Sequence, residues 1–181
     1  MLYGDQNAGA FTNQPVYATI SPSKRHKNQG VSLRLSLYTD FSLRLLMYLA
    51  VAEAGIWMTT PNIAKAFGIS LNHLQKAVQG LVRGGYVEAL QGRAGGVRLA
   101  KAPEDIRMGV LVAELEGTGC LVECGRGPCP LAGLCLLKMG LDEAERAFFT
   151  SLDRFTLADV VKRQTGKALR GLIDAPSAAI L

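Results

Sequence analysis

At 181 residues, with 49% hydrophobic and 7% aromatic side chains, the chain has apolar material for one ordinary domain plus an extension, and too little for two large ones. No run approaches the roughly 20 uninterrupted apolar residues of a membrane-spanning helix, and the composition excludes a wholly disordered chain. The net charge of +5 is unevenly spread, with 8 basic against 3 acidic residues over 34–101 and 5 basic against 9 acidic over 102–155, so phosphate contacts suit the front half.

Residues 1–32 are rich in Gly, Asn, Gln, Ser and Pro, show no sustained period, and read as a disordered arm. The first 30 residues lack the apolar stretch of a secretory leader and carry the cluster Lys24-Arg25-His26-Lys27 late, so a cytoplasmic location is expected. Over 39–54, Phe41, Leu45, Tyr48, Leu49 and Ala52 fall on one helical face, which ends before Gly55. Thr60-Pro61 caps a short helix through Ile63, Ala64 and Phe67, stopped by Gly68. Ser70 caps a third helix in which Leu71, Leu74, Val78 and Leu81 point inward. Asn72, His73, Gln75, Lys76 and Gln79 lie on its other faces, and Gly84-Gly85 ends it.

Tyr86 to Leu90 and Gly96 to Leu99 read as two strands joined through Gln91-Gly92-Arg93-Ala94-Gly95, whose glycines allow a sharp tip. The predicted fold is mainly α with a small β wing: a winged helix-turn-helix over 33–101 that binds double-stranded DNA. A cysteine loop and a long dimerisation helix follow within 102–161, and 162–181 reads as a flexible tail. Pro103-Glu104-Asp105 opens a helix running to about Glu116. Past the cysteine loop, Leu134, Leu137, Leu141, Ala144, Phe148, Leu152 and Phe155 form a seam at spacings of three and four, long enough to want a partner helix and so a homodimer. A short helix is expected near Thr156 to Val161.

The DNA-facing candidates are Ser70, Asn72, His73, Gln75 and Lys76, with Arg93 at the wing tip, because amides pair with adenine edges while cations neutralise phosphate. Outside this pattern His73 would pass for a plain surface histidine, and the local charge for a solvated face. All four cysteines lie within sixteen residues, and clustered thiols in a reducing compartment bind metal or sense redox state more often than they staple a fold. Cys124, Cys129 and Cys135 give C-x4-C-x5-C in a loop rich in glycine and proline, suited to an iron-sulfur cluster. Adding Cys120 gives C-x3-C-x4-C-x5-C, a possible if less typical zinc set, and leaves a zinc-stabilised winged-helix protein as the alternative. Nothing resembles an enzyme site: there is no paired-carboxylate pattern, serine elbow or phosphate loop.

The segment Leu33-Arg34-Leu35-Ser36-Leu37-Tyr38-Thr39-Asp40-Phe41-Ser42-Leu43-Arg44, the stretch Ile69 to Leu74, the wing Gly92 to Leu99 and the closing Phe155-Thr156-Leu157-Ala158-Asp159-Val160 together resemble the NsrR-type repressors, winged-helix regulators of the IscR-like superfamily. The resemblance runs from about Leu33 to Val161. It implies a homodimer with one 4Fe-4S cluster per subunit, a 2Fe-2S core being the alternative, held by Cys124, Cys129 and Cys135. The fourth ligand it implies is an aspartate of the other subunit that matches Asp40. From the residues alone, Asp40 would instead be an ordinary helix N-cap. The resemblance further implies that the intact protein holds promoters and that nitrosylation by nitric oxide releases them, turning on nitric oxide detoxification genes.

Two features depart from that pattern: Cys120 lies outside the triad, and the arm before Leu33 is unusual. Regulators of iron-sulfur biogenesis in the same superfamily place a histidine three residues after the last cysteine, where this chain has Lys138. Iron- or redox-responsive regulators of similar architecture remain an alternative. Removal of residues 1–32 is expected to leave the operator footprint unchanged; a lost footprint would assign the arm a part in recognition.

Overall fold

The computed structural model describes residues 34–92, 95–117, 121–122, 124 and 127–174. The expected arm over 1–32 lies outside them. Helix α1 (Leu37–Val51) starts two residues earlier than its apolar pattern suggests, because Ser36 is its N-cap: the Ser36 hydroxyl accepts from the Thr39 amide at 3.2 Å. Asp40 therefore sits in the first turn and is not the cap. Leu45, Leu46 and Leu49 are buried along the inward side of α1.

Helix α2 (Thr60–Phe67) has Thr59 as its N-cap and Pro61 in its first turn, and Gly68 closes it in the left-handed region at φ 61°. Ile69 and Ser70 then lead into α3 (Leu71–Arg83), whose Leu74, Ala77, Val78 and Leu81 are buried against α1 and α2. Leu71, expected inward, is 39% exposed; it lies in the first turn at the edge of the apolar stripe, and Ala77 completes the buried face instead. This helix-turn-helix pair and α1 enclose the front of the core.

Strands β1 (Val87–Leu90) and β2 (Gly96–Leu99) pair antiparallel, with Val87 opposite Leu99 and Leu90 opposite Gly96. Met58 pairs with the other edge of β2 through reciprocal backbone bonds to Val97 at 2.9 and 2.8 Å. Gly96 is required there, since a Cβ on it would stand 2.7 Å from the Met58 carbonyl oxygen.

The helix expected to run from Pro103 to Glu116 is broken. Pro103–Asp105 form a 3-10 turn, Ile106 is extended and buried, and Arg107 bridges to Thr156 before α4 (Met108–Glu116) begins. The Met108 amide donates to the Phe155 carbonyl at 2.9 Å and the Leu157 amide to the Ile106 carbonyl at 2.8 Å, and this pairing replaces the helical bonds. Helix α5 (Leu136–Leu152) packs on α4 yet buries none of its residues fully, and Leu134 precedes it in a turn. Gly109 lets the end of α5 approach α4 closely.

Helix α6 (Leu157–Val160) opens with a capping box. Thr156 accepts from the Asp159 amide at 3.2 Å, and the Asp159 carboxylate accepts from the Thr156 amide at 3.0 Å. Leu157 is fully buried behind it. Where a loose tail is expected from 162 onward, the chain forms α7 (Arg163–Asp174), which docks on α1 with Gly166 and Leu169 buried and Ile173 against the core. The lone apolar stripe of this basic helix is what holds it. Among the described residues no helix is long and apolar enough to cross a membrane.

Asp159 is held well below the ordinary carboxylate range, first by its bond from Lys162 and then by the Thr156 amide and hydroxyl. Its stabilising effect is therefore present above that range and disappears as the pH falls through the lowered value. Thr156→Ala removes one half of the box and is expected to cost about 1 kcal/mol. The check is a urea midpoint, and an unmoved midpoint would show that the Thr156 hydroxyl contributes nothing.

Candidate functional site

The outer side of α3 presents Asn72, His73, Gln75, Lys76 and Gln79, all exposed, with Ser70 exposed at its N-terminal cap. Two of these residues have structural partners: the Ser70 hydroxyl accepts from the His73 amide at 3.5 Å, and the His73 ring stacks on Phe41 of α1 with centroids 5.9 Å apart. Asn72, Gln75 and Lys76 project with no such ring contact. Arg93 lies outside the described residues, so its expected place at the wing tip is untouched by these observations.

The wing carries a cation that the sequence pattern did not single out. The guanidinium of Arg98 on β2 lies 4.4 Å from the ring centre of Trp57 and pairs with Glu88 across the ladder at 2.7 Å. The signal that could have found it is register, because Glu88 and Arg98 are directly opposed in the strand pair. At the base of the wing, Tyr86 donates to Glu114 of α4 at 2.7 Å, and burial together with that carboxylate raises the phenol above its ordinary value.

The second part of the site is the loop between α4 and α5. Cys124 is exposed, Cys129 and Cys135 are partly buried, and all three are free thiols. Turn bonds shape the segment: Cys124 donates to the Val122 carbonyl and Ala132 to the Cys129 carbonyl, each at 3.0 Å, while Gly133 takes φ 81°. Cys135 is the N-cap of α5, where its Sγ accepts from the Lys138 amide at 3.5 Å, facing the positive end of the helix. Cys120 lies outside the described residues.

Asp40 is 38% exposed and forms a two-point pair with Arg44 one turn along, at 2.8 and 3.0 Å. Within one chain the structure does not gather the predicted ligands: among the described residues no three His, Cys, Asp or Glu side chains come close enough to hold a metal ion. In kind, however, the donor set suits an iron-sulfur group, since three unpaired soft sulfurs stand in one turn-rich loop. The N-cap of α1 is tied to the start of this loop, because the Ser36 amide donates to Glu116, the last residue of α4, at 2.8 Å.

The chain is similar to known proteins over most of its length. Residues 35–163 match the Rrf2 profile, described as an iron-dependent transcriptional regulator. The HTH-type transcriptional repressor NsrR of Streptomyces coelicolor is 42% identical over 147 residues, which span 80% of this chain and 99% of that protein. The HTH-type transcriptional regulator NsrR of Bacillus subtilis is 41% identical over 135 residues, 73% of this chain and 92% of that one. Among solved structures, CymR, the global cysteine regulator of B. subtilis, superposes with a TM-score of 0.56 at 25% identity, covering 71% of this chain and 96% of its own. IscR of T. potens superposes with a TM-score of 0.58 at 24% identity, covering 72% and 88%.

If Lys76 meets a phosphate, Lys76→Gln is expected to weaken binding to operator and random DNA alike and to reduce the slope of log affinity against log salt by about 1. A mobility-shift series across salt concentrations measures both; an unchanged slope would remove Lys76 from the contact set.

Proposed function

The chain belongs to the Rrf2 family of transcriptional regulators, and from that footing we propose that it is a DNA-binding repressor whose hold on a promoter is governed by an iron-sulfur cluster on its cysteine loop. The observation that carries this proposal is the coexistence in one chain of an exposed polar α3 face and three free thiols at Cys124, Cys129 and Cys135. Those three cysteines would hold a 4Fe-4S cluster, with Asp40 from the second copy of the chain as the fourth ligand. When bound, the cluster supplies a centre that reacts with nitric oxide, the signal we assign to it.

The remaining work falls to the chain's own residues. Helix α5 is the proposed homodimer seam: Leu136 is 80% exposed, Leu137 69% and Met139 61%, more apolar surface than a helix at rest in water keeps uncovered. Asp40 must exchange Arg44 for its new partner, and a carboxylate is a harder donor than the three sulfurs beside it. It is thus the ligand most readily given up. A carboxylate of one copy joined to the loop of the other fixes the distance between the two α3 helices, and DNA half-sites about 34 to 36 Å apart tolerate little change in that distance. Such a regulator works beside the chromosome, which supports the cytoplasmic assignment.

The test is a mobility-shift titration on the protein's own upstream DNA with oxygen-free, nitric-oxide-treated and metal-free protein. The oxygen-free form is expected to be coloured, to carry iron and sulfide, and to bind most tightly. Nitric oxide should weaken it by at least about 100-fold, a change within the usual span between specific and non-specific binding. Colourless protein with tightly held zinc, binding equally well, would replace the sensor with a zinc-stabilised reader. Asp40→Ala is expected to blunt both DNA affinity and the nitric oxide response, and full retention of both would remove the clamp between copies.

A further inference from the structure

We infer that His73 is a positioning residue: its ring, stacked on Phe41, fastens the recognition helix to the first turn of α1 and does not read a base. The inference rests on the assignment of α3 as the recognition helix. The two rings lie 21° from parallel with centroids 5.9 Å apart, inside the range of an offset stack. Phe41 is itself partly buried and packed against the core, so the histidine leans on a fixed wall.

A second contact makes the attachment rigid. Tyr38, three residues before Phe41 on α1, lies over Gly80, seven residues beyond His73 on α3. A Cβ at Gly80 would run into the Tyr38 hydroxyl, so the glycine is what lets the two helices meet there. Residues three apart on one helix and seven apart on the other each share a face. The first turn of α1 is therefore attached to α3 at two separated points, and rotation of one without the other would break a stack or open a gap. Asp40 sits in that same turn, between Tyr38 and Phe41.

A histidine in this setting has a reason to be aromatic that is independent of hydrogen bonding. Its main-chain amide is engaged by Ser70, and one face of its ring is covered by Phe41. Asn72, Gln75 and Lys76 are left to meet the groove. The stack sets where they stand, and displacement of the first turn of α1 carries them with it.

The test uses the full chain in mobility-shift titrations on a duplex of its own upstream DNA and on a scrambled duplex of equal composition. His73→Ala and Phe41→Leu are each expected to weaken specific binding roughly 3- to 10-fold, the range open to one aromatic pair. The double variant should be no weaker than the poorer single one, because both remove the same contact. His73→Phe, which keeps a flat ring and lacks the imidazole nitrogens, should stay within about twofold of the parent, and scrambled-duplex binding should not move. In the free protein, the Phe41 ring current should shift the His73 ring protons upfield, and Phe41→Leu should abolish that shift.

A His73→Phe variant as weak as His73→Ala would show the imidazole reading a base and overturn the inference. A neutral His73→Ala, additive losses or an unshifted His73 spectrum would do so as well. If Phe41→Leu fails to fold by circular dichroism, the exposed His73 pair and the wild-type spectrum decide the question alone. A parent chain with a normal ring-current shift but no preference for its upstream duplex would instead locate the failure in the recognition-helix assignment, and the role given to His73 would fall with it.

Discussion

The packing of α1 on α3 is the constraint from which the rest of the reader follows. Leu45, Leu46 and Leu49 on one helix, and Leu74, Val78 and Leu81 on the other, are almost wholly removed from water. Each such side chain contributes about 1.5 to 3 kcal/mol when fully buried, so the pair dominates the front of the core. With the buried side of α3 spoken for, its polar residues have one direction left. The outward polar face of α3 is thus a consequence of the inward one.

Helix α1 also meets the start of the cysteine loop. Ser36, which caps α1, also donates to Glu116 at the end of α4, and the thiol segment starts just beyond it. Tyr86 at the base of the wing donates to Glu114, two residues earlier on α4. The last turn of α4, from which the loop departs, is therefore bonded through Glu116 to the cap of the helix that packs on α3, and through Glu114 to the residue that leads into β1.

Much of this was legible in the chain itself, wherever the cause of a feature is local. Ser70 before a stripe of Leu74, Val78 and Leu81, Gly68 at a left-handed helix end, and glycines around a short hairpin all act on near neighbours. The break at Ile106 and Arg107 was not legible, because it depends on pairing with Thr156 far along the chain. Helix α7 is hard to read in the sequence although Gly166, Leu169 and Ile173 recur at helical spacing, since the surrounding basic residues mask so narrow a stripe. The cysteines stand out by spacing in the sequence, whereas the proposed approach of Asp40 would join two copies and leaves no local pattern to read. The stack of His73 on Phe41 joins two helices and leaves no trace in either one alone.

The bridge between Arg107 and Thr156 brings together the two strands of backbone that frame α4, the thiol loop and α5. Everything between them departs from and comes back to one neck. A neck of this kind lets the outlying part vary in length and chemistry while the reader's frame is kept, since insertions there need not reposition α1, α3 or the wing. The stretch beyond α4 can in this way be exchanged with no change to the exposed polar residues of α3.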